Sequence, residues 1–191
     1  FGNQGALFMN AMTWWDHKTN SVWSQVWGQA IAGPMKGTSL ELVSSFIVPW
    51  STWKNEYPGT LAMTSGKISG WRQEERPRDR WVVGITLGEF SKAYPYIQLA
   101  EAQVLNDMIA SYPVLLYTDP ETRNVKAYIR QIDDQVLTFQ LIDDGQLMDI
   151  ETSSIWNPEP GLAIQGTLEG EALLHVPYIS AFDWAWVDFF P

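Results

Sequence analysis

The chain has 191 residues, no cysteine, eleven tryptophans and a formal net charge of −10. Zero cysteine removes disulfides, thiolate metal sites and cysteine nucleophiles from this stretch of polypeptide. The acidic balance argues against a nucleic-acid backbone or an anionic membrane surface as main partner. No apolar run approaches the roughly 18–20 residues that span a bilayer.

The first residues are FGN, without an initiator methionine or a basic leader. The expectation is a processed, truncated or partial polypeptide that begins inside a strand. Asp16 to Ser21 is a polar hairpin turn, with Asp16 capping backbone amides. An aromatic helix or turn follows over 50–57, where Trp50 and Trp53 fall at helical spacing. The small, polar residues 63–70 and the mixed charge run 71–80 read as a linker. Trp81–Leu87 is rich in β-branched residues, and Gly88-Glu89 turns it into a strand over 91–94. The apolar stripe Ile97, Ala100, Val104 and Met108 predicts a central helix over 97–109. Strands are expected over 114–118, 125–131 and 136–142, joined by acidic turns at 119–121 and 133–134. The chain closes on a second aromatic helix over 183–190.

These elements are organised by an internal repeat. Shifting the sequence by 133 residues aligns 16–58 with 149–191 without a gap. The polar and aromatic identities are Asp16 with Asp149, Thr19 with Thr152, Ser21 with Ser154, Trp23 with Trp156 and Trp53 with Trp186. The glycines are Gly28 with Gly161, Gly33 with Gly166 and Gly37 with Gly170. Ala30 with Ala163, Ile31 with Ile164, Leu40 with Leu173, Val43 with Val176 and Pro58 with Pro191 complete the set. Chance would give roughly three, and the matched types are turn glycines, aromatic anchors and aliphatics. Asp16, Trp23, Gly28, Gly33, Gly37 and Trp53, with Asp149, Trp156, Gly161, Gly166, Gly170 and Trp186, are therefore the expected structural anchors of the repeat.

Extended backwards, Phe1-Gly2-Asn3 falls on Phe139-Gln140-Leu141, so the front half of the first copy has no counterpart in 1–15. The expectation is an α+β, mainly β protein of two tandem repeats, the first lacking its N-terminal half. Residues 1–62 form that partial repeat, 63–80 a linker and 81–191 the complete repeat. A preceding segment or another subunit is expected to complete the first module, since an open sheet exposes unpaired edges and apolar surface.

The runs DHKTNSVWSQ (16–25), GQAIAGPMKGTSLEL (28–42) and WSTW (50–53) resemble the DUF3179 family of bacterial and archaeal proteins. So do VGITLGE (83–89), KAYP (92–95), VLND (104–107) and DWAW (183–186). The resemblance implies two tandem copies of one module and leaves the chemistry unassigned. Such proteins carry a YCPLC-like and an HExVND-like element in the first module's front half. The corresponding places in the second repeat are YTDP (117–120) and AQVLND (102–107), without cysteine or histidine.

No catalytic constellation, cofactor motif or metal-ligand spacing is expected in the chain. His17 neighbours Asp16 but lies in the hairpin turn, and His175 lies in an apolar strand. Asp133, Asp134, Asp143, Asp144 and Asp149 suggest calcium chemically, but acidic hairpin tips explain them more simply. Trp14, Trp15, Trp27 and Trp50 have no tryptophan counterpart in the second repeat, so with Asp16 and His17 they are the candidate binding residues. Trp14 and Trp15 alternate along a strand, so one of the two should face solvent or a partner. The functional expectation is a binding or assembly protein outside the cytoplasm (periplasm or cell surface). The alternatives are a metal-dependent or redox enzyme with its reactive residues upstream of residue 1, and carbohydrate binding through surface tryptophans.

Overall fold

The computed structural model describes residues 1–43, 50–62, 80–119, 122 and 124–191. Of the predicted features, the linker up to residue 79 and the turn residues Pro120 and Glu121 lie outside them.

The first repeat is an antiparallel meander of β1 (Gly2–Phe8), β2 (Ala11–Trp15), β3 (Val22–Ser24) and β4 (Ala30–Ala32), in that spatial order. Met9 and Asn10 both take positive φ at the β1–β2 turn, the geometry that matches strand twist in a two-residue hairpin. Helix α1 (Trp50–Glu56) follows. The second repeat opens with β5 (Trp81–Leu87), β6 (Phe90–Pro95), α2 (Tyr96–Ala102), β7 (Val104–Ile109), β8 (Tyr112–Thr118) and β9 (Val125–Ile129). Two short hairpin strands, β10 (Gln131–Ile132) and β11 (Gln135–Val136), lead into β12 (Phe139–Leu141), β13 (Leu147–Asp149), β14 (Ile155–Asn157) and β15 (Leu162–Gln165). It ends in β16 (Leu174–His175), β17 (Ile179–Phe182) and α3 (Asp183–Phe189).

Three sheets of the second repeat are layered. The middle one has the order β16-β9-β8-β7, flanked by β17-β5-β6 on one side and β12-β13-β14-β15 on the other. Alternation along β8 explains the layering: Val114 and Leu116 join Val83, Ile85 and Leu99 in one core, while Leu115 and Tyr117 join Phe139, Leu147 and Trp156 in the other. A strand buried on both faces reads as an unbroken apolar run, which 112–117 is.

The helix predicted over 97–109 is corrected: it stops at Ala102, and Val104–Ile109 is a strand. Gln103 takes φ 59 and ψ −43, which ends the helix and turns the chain onto the edge of β8. The stripe that suggested a helix is not a buried face, because Ile97 and Met108 are exposed while Tyr96 and Leu99 enter the core.

The repeat is duplicated down to hydrogen bonds. In each copy an aspartate carboxylate accepts from the amide and hydroxyl of the threonine three residues on, from the serine amide and from the tryptophan indole. Trp23 Nε1 donates to Asp16 at 3.0 Å and Trp156 Nε1 to Asp149 at 2.9 Å. The serine hydroxyl accepts the amide of Met35 in one copy and of Leu168 in the other. Gly33 and Gly166 pass so close that a Cβ would lie 2.7 and 2.8 Å from the Cα of Ser21 and Ser154. Phe139 pairs with Asp149, and the β1–β2 register carries Phe1 to the same place beside Asp16. Phe1 meets Trp23 edge-on at 5.7 Å, as Phe139 meets Trp156 at 5.4 Å.

One pair of expected anchors differs in kind from the rest. Gly37 and Gly170 are exposed, and a Cβ on either would meet nothing, so neither one anchors packing. Their role is confined to the backbone. They take φ 90 and 93, and their amides donate to the carbonyls of Ala30 at 2.8 Å and Ala163 at 3.0 Å, closing the same loop in each copy.

Candidate functional site: the uncovered face of the first repeat

Equal backbones make burial directly comparable between copies. In the second repeat the face of β12-β13-β14-β15 packs against the middle sheet, which buries Phe139, Leu147, Trp156, Ala163 and Leu173 together with Tyr128 and Leu115. In the first repeat no sheet covers this face among the described residues; Trp23 and Ala30 stay as buried as Trp156 and Ala163, but the apolar residues around them do not. Leu40 is 46% exposed against 4% for Leu173, and Phe1 64% against 2% for Phe139. The local pairing is unchanged: Leu40 and Leu173 each donate an amide hydrogen bond of 2.8 Å to the carbonyl of Gly28 and Gly161. Side chain and backbone are the same; the covering layer differs.

Two contacts fasten that layer in the second repeat. The Tyr128 ring lies over Gly161, where a Cβ would be 2.5 Å from it, and its hydroxyl reaches the carbonyls of Pro158 at 2.7 Å and Glu159 at 2.9 Å. The Asn106 amide pairs with the Phe139 backbone like a strand, donating to its carbonyl at 2.7 Å and accepting its N–H at 2.8 Å. On the far sheet, Trp186 of α3 packs against Gly84 of β5, where a Cβ would fall 1.9 Å from the ring. Beside Tyr128, Lys126 is buried and ion-paired to Glu159 at 2.9 Å. His175 tilts against the Tyr128 ring at 4.5 Å.

Sequence reasoning missed this set. The legible signal was Lys126 in the middle of the apolar strand Val125–Ile129, since an interior lysine needs a partner.

Burial, then the Lys126 ammonium, push the His175 imidazole below its ordinary pKa, with Glu159 opposing. The folded protein therefore binds fewer protons here than the unfolded chain as pH falls below about 6.5, so this group's contribution is present above that pH and lost below it. The urea midpoint is expected to fall between pH 7 and 5.5, and to fall less in His175→Gln. Equal pH slopes for both proteins would refute the assignment.

The singled-out tryptophans divide between the two faces of the first sheet. Trp14 is half-buried and pairs with Trp23 on the uncovered face, edge-on to Phe1 at 6.5 Å. Trp15, on the other face, stacks on His17 at 4.3 Å, which places His17 as a ring partner in the turn. Trp27 serves the joint between repeats: Phe189 of α3 meets it perpendicularly at 4.9 Å and packs with Phe8, Ala11 and Val26. Asn10 Nδ2 donates to Asp188 there at 2.6 Å. Trp50 is exposed on α1. Asp16 is a structural cap: the Thr19 hydroxyl, the Thr19 amide and the Trp23 indole hold its carboxyl far below the usual carboxylate range. The contribution of Asp16 to stability is therefore expected to persist down to about pH 4 and to be lost below it as Asp16 protonates. Asp16→Asn should flatten that acid limb in a denaturant titration.

Among the described residues, no three His, Asp or Glu side chains converge to hold a metal ion. No described helix is long and apolar enough to cross a membrane. The two places that the resemblance singled out in the second repeat do meet: the Thr118 amide donates to the Gln103 carbonyl at 2.7 Å, and Tyr117 pairs with Val104.

No curated protein and no solved structure matches the chain. The sequence profile described as "Protein of unknown function (DUF3179)" matches twice, over residues 1–76 and 66–191. With both repeats covered, the chain belongs to the DUF3179 family.

Proposed function

We propose that this chain is a binding or assembly protein, acting outside the cytoplasm, whose first repeat docks a polypeptide on its uncovered face. One observation carries the reading: Phe1 and Leu40 keep the identity and backbone of residues that are core in the second repeat, yet stand exposed. Contiguous exposed apolar surface marks an interaction site more often than it marks nothing. Two of the singled-out tryptophans support protein contact over sugar stacking, because Trp15 already carries His17 and Trp27 already meets Phe189.

The test is co-purification from the native source. A Leu40→Asp variant is expected to lose at least about tenfold of its bound polypeptide, the equivalent of about 1.4 kcal/mol. Its thermal midpoint should stay within about 2 °C. Retention of the partner by that variant would overturn the reading.

A second reading, a metal-dependent or redox enzyme with reactive residues outside 1–191, is favoured by the meeting of Gln103 and Thr118. In a module with the cysteine and histidine elements at these places, thiol and imidazole would share one corner. Elemental analysis of the longest native form tests it; absence of stoichiometric metal there would remove its metal-dependent version.

A further inference from the structure

Charge narrows the partner of the first-repeat face, on the docking reading above. We infer that it is a second copy of this chain, the two uncovered faces packing on each other about a two-fold axis.

The apolar surface of this face is one stripe across the sheet. Leu7 and Met12 are cross-strand partners in β1 and β2 and therefore share a face. Met12 and Trp14 are two apart along β2, so they share it too, and the Trp14 indole donates to Met12 Sδ at 3.3 Å. Phe1 stands edge-on to Trp14 and Trp23, and Leu40 continues the stripe beside Gly28, as Leu173 does in the covered core. Phe1, Leu7, Met12 and Leu40 are all exposed. None of these side chains is charged, and the Asn3 carboxamide, opposite Trp14, already accepts the Gly5 amide at 2.8 Å.

The distribution of charge selects this contact between copies. Residues 1–62 hold three acidic side chains, Asp16, Glu41 and Glu56, against Lys18, Lys36 and Lys54, so their formal charges cancel. The whole net charge of −10 lies beyond residue 62. A two-fold contact through the first repeats brings neutral halves together and leaves the acidic halves outside it, whereas contact through the second repeats sets like charges against each other. A charged partner would find no counter-charge on the stripe, and a neutral apolar surface is what a second stripe supplies.

An axis lying between the sheets and crossing the stripe reverses one copy on the other. Leu7 and Met12 of one copy then lie on Phe1 and Leu40 of the other, which sets a flexible thioether on an aromatic ring where like-on-like stacking does not. Two stripes bury on the order of 1,000 Å² in all, the lower limit of a specific interface, which sets the dissociation constant at about 1–10 μM. Below about 0.5 μM, where a fluorescence-detected unfolding titration is run, the chain is monomeric.

Sedimentation equilibrium of the full chain between about 0.2 and about 100 μM is expected to show the mass doubling, with a midpoint in the low micromolar range. Leu7→Asp should weaken that dimer at least about tenfold while its thermal midpoint stays within about 2 °C, and Ile150→Asp, exposed on the second repeat, should change it by less than about twofold. Because the chain has no cysteine, Met12→Cys and Leu40→Cys chains mixed under mild oxidation should give more of the mixed disulfide than chance pairing does. A dimer that withstands Leu7→Asp, or an excess of the two like-with-like disulfides, overturns the inference. So does a chain that stays monomeric at about 100 μM. If that monomer still retains another polypeptide from its native source through Leu40, docking stands without the second copy; if it retains none, the docking reading falls as well.

Discussion

Replacing Asp149 with alanine is expected to cost about 4 kcal/mol, measured as the loss of unfolding free energy in urea. The carboxylate is fully buried and accepts the Thr152 amide at 2.6 Å, the Thr152 hydroxyl at 2.9 Å, the Ser154 amide at 3.2 Å and the Trp156 indole at 2.9 Å. Alanine leaves at least two of these donors buried without an acceptor, and each costs about 1–3 kcal/mol. Asparagine at 149 should restore little, because its NH2 faces groups that also donate. The equivalent Asp16→Ala variant should lose less, since Asp16 is only half-buried where Asp149 is fully buried. A loss at Asp149 no larger than at Asp16 would mean that the second copy is not the buried one.

Gly84→Val should be of similar size, about 3–5 kcal/mol, and should act through a different physical route. Any Cβ on Gly84 falls 1.9 Å from Cζ3 of Trp186 and 2.4 Å from two further ring atoms. The indole cannot give way cheaply, because it is buried and stacked on Phe190. The outcome is either a shifted strand or an expelled tryptophan, and the latter forfeits most of the burial energy of that side chain. Tryptophan fluorescence separates these: expulsion red-shifts emission in the native baseline. A stable Gly84→Val protein with unchanged emission would show that Trp186 does not lie on β5.

Much of this architecture could be read from residues. The shift of 133 isolated Asp16, Thr19, Ser21 and Trp23 with their partners, and each residue of that set proves to be a member of one hydrogen-bonded turn. Identity alone could not separate Gly33 and Gly166, which are wedged against a serine, from Gly37 and Gly170, which only shape a surface loop. Trp81–Leu87 was recovered at its true ends, because β-branched residues bounded by Gly88-Glu89 leave little choice. The failure at 97–109 has a local cause. A short helix and a strand that share an apolar stripe look like one helix until the backbone at Gln103 is known, and a glutamine with positive φ leaves no mark in the sequence.

The site was half legible. Leu40 and Val43 emerged as repeat positions, but residue identity carries no measure of what covers them. Trp14, Trp15, Trp27 and Trp50 were singled out for lacking counterparts, and only Trp14 lies on the uncovered sheet face beside Phe1. The contacts that Tyr128 and Asn106 make to the covered copy leave no mark in the sequence, since they join residues 30 or more positions apart through backbone geometry.

The central claim is that one fold unit occurs twice, once covered and once open, and a matched pair of substitutions tests it most directly. Leu173→Ala and Leu40→Ala delete the same atoms from the same backbone. In urea unfolding of the isolated chain, Leu173→Ala is expected to lose about 3 kcal/mol, as core leucines do. Leu40→Ala should change stability by no more than about 0.5 kcal/mol, as surface substitutions do. Equal losses of about 3 kcal/mol at both positions would contradict the account, because Leu40 would then already lie in a core of its own.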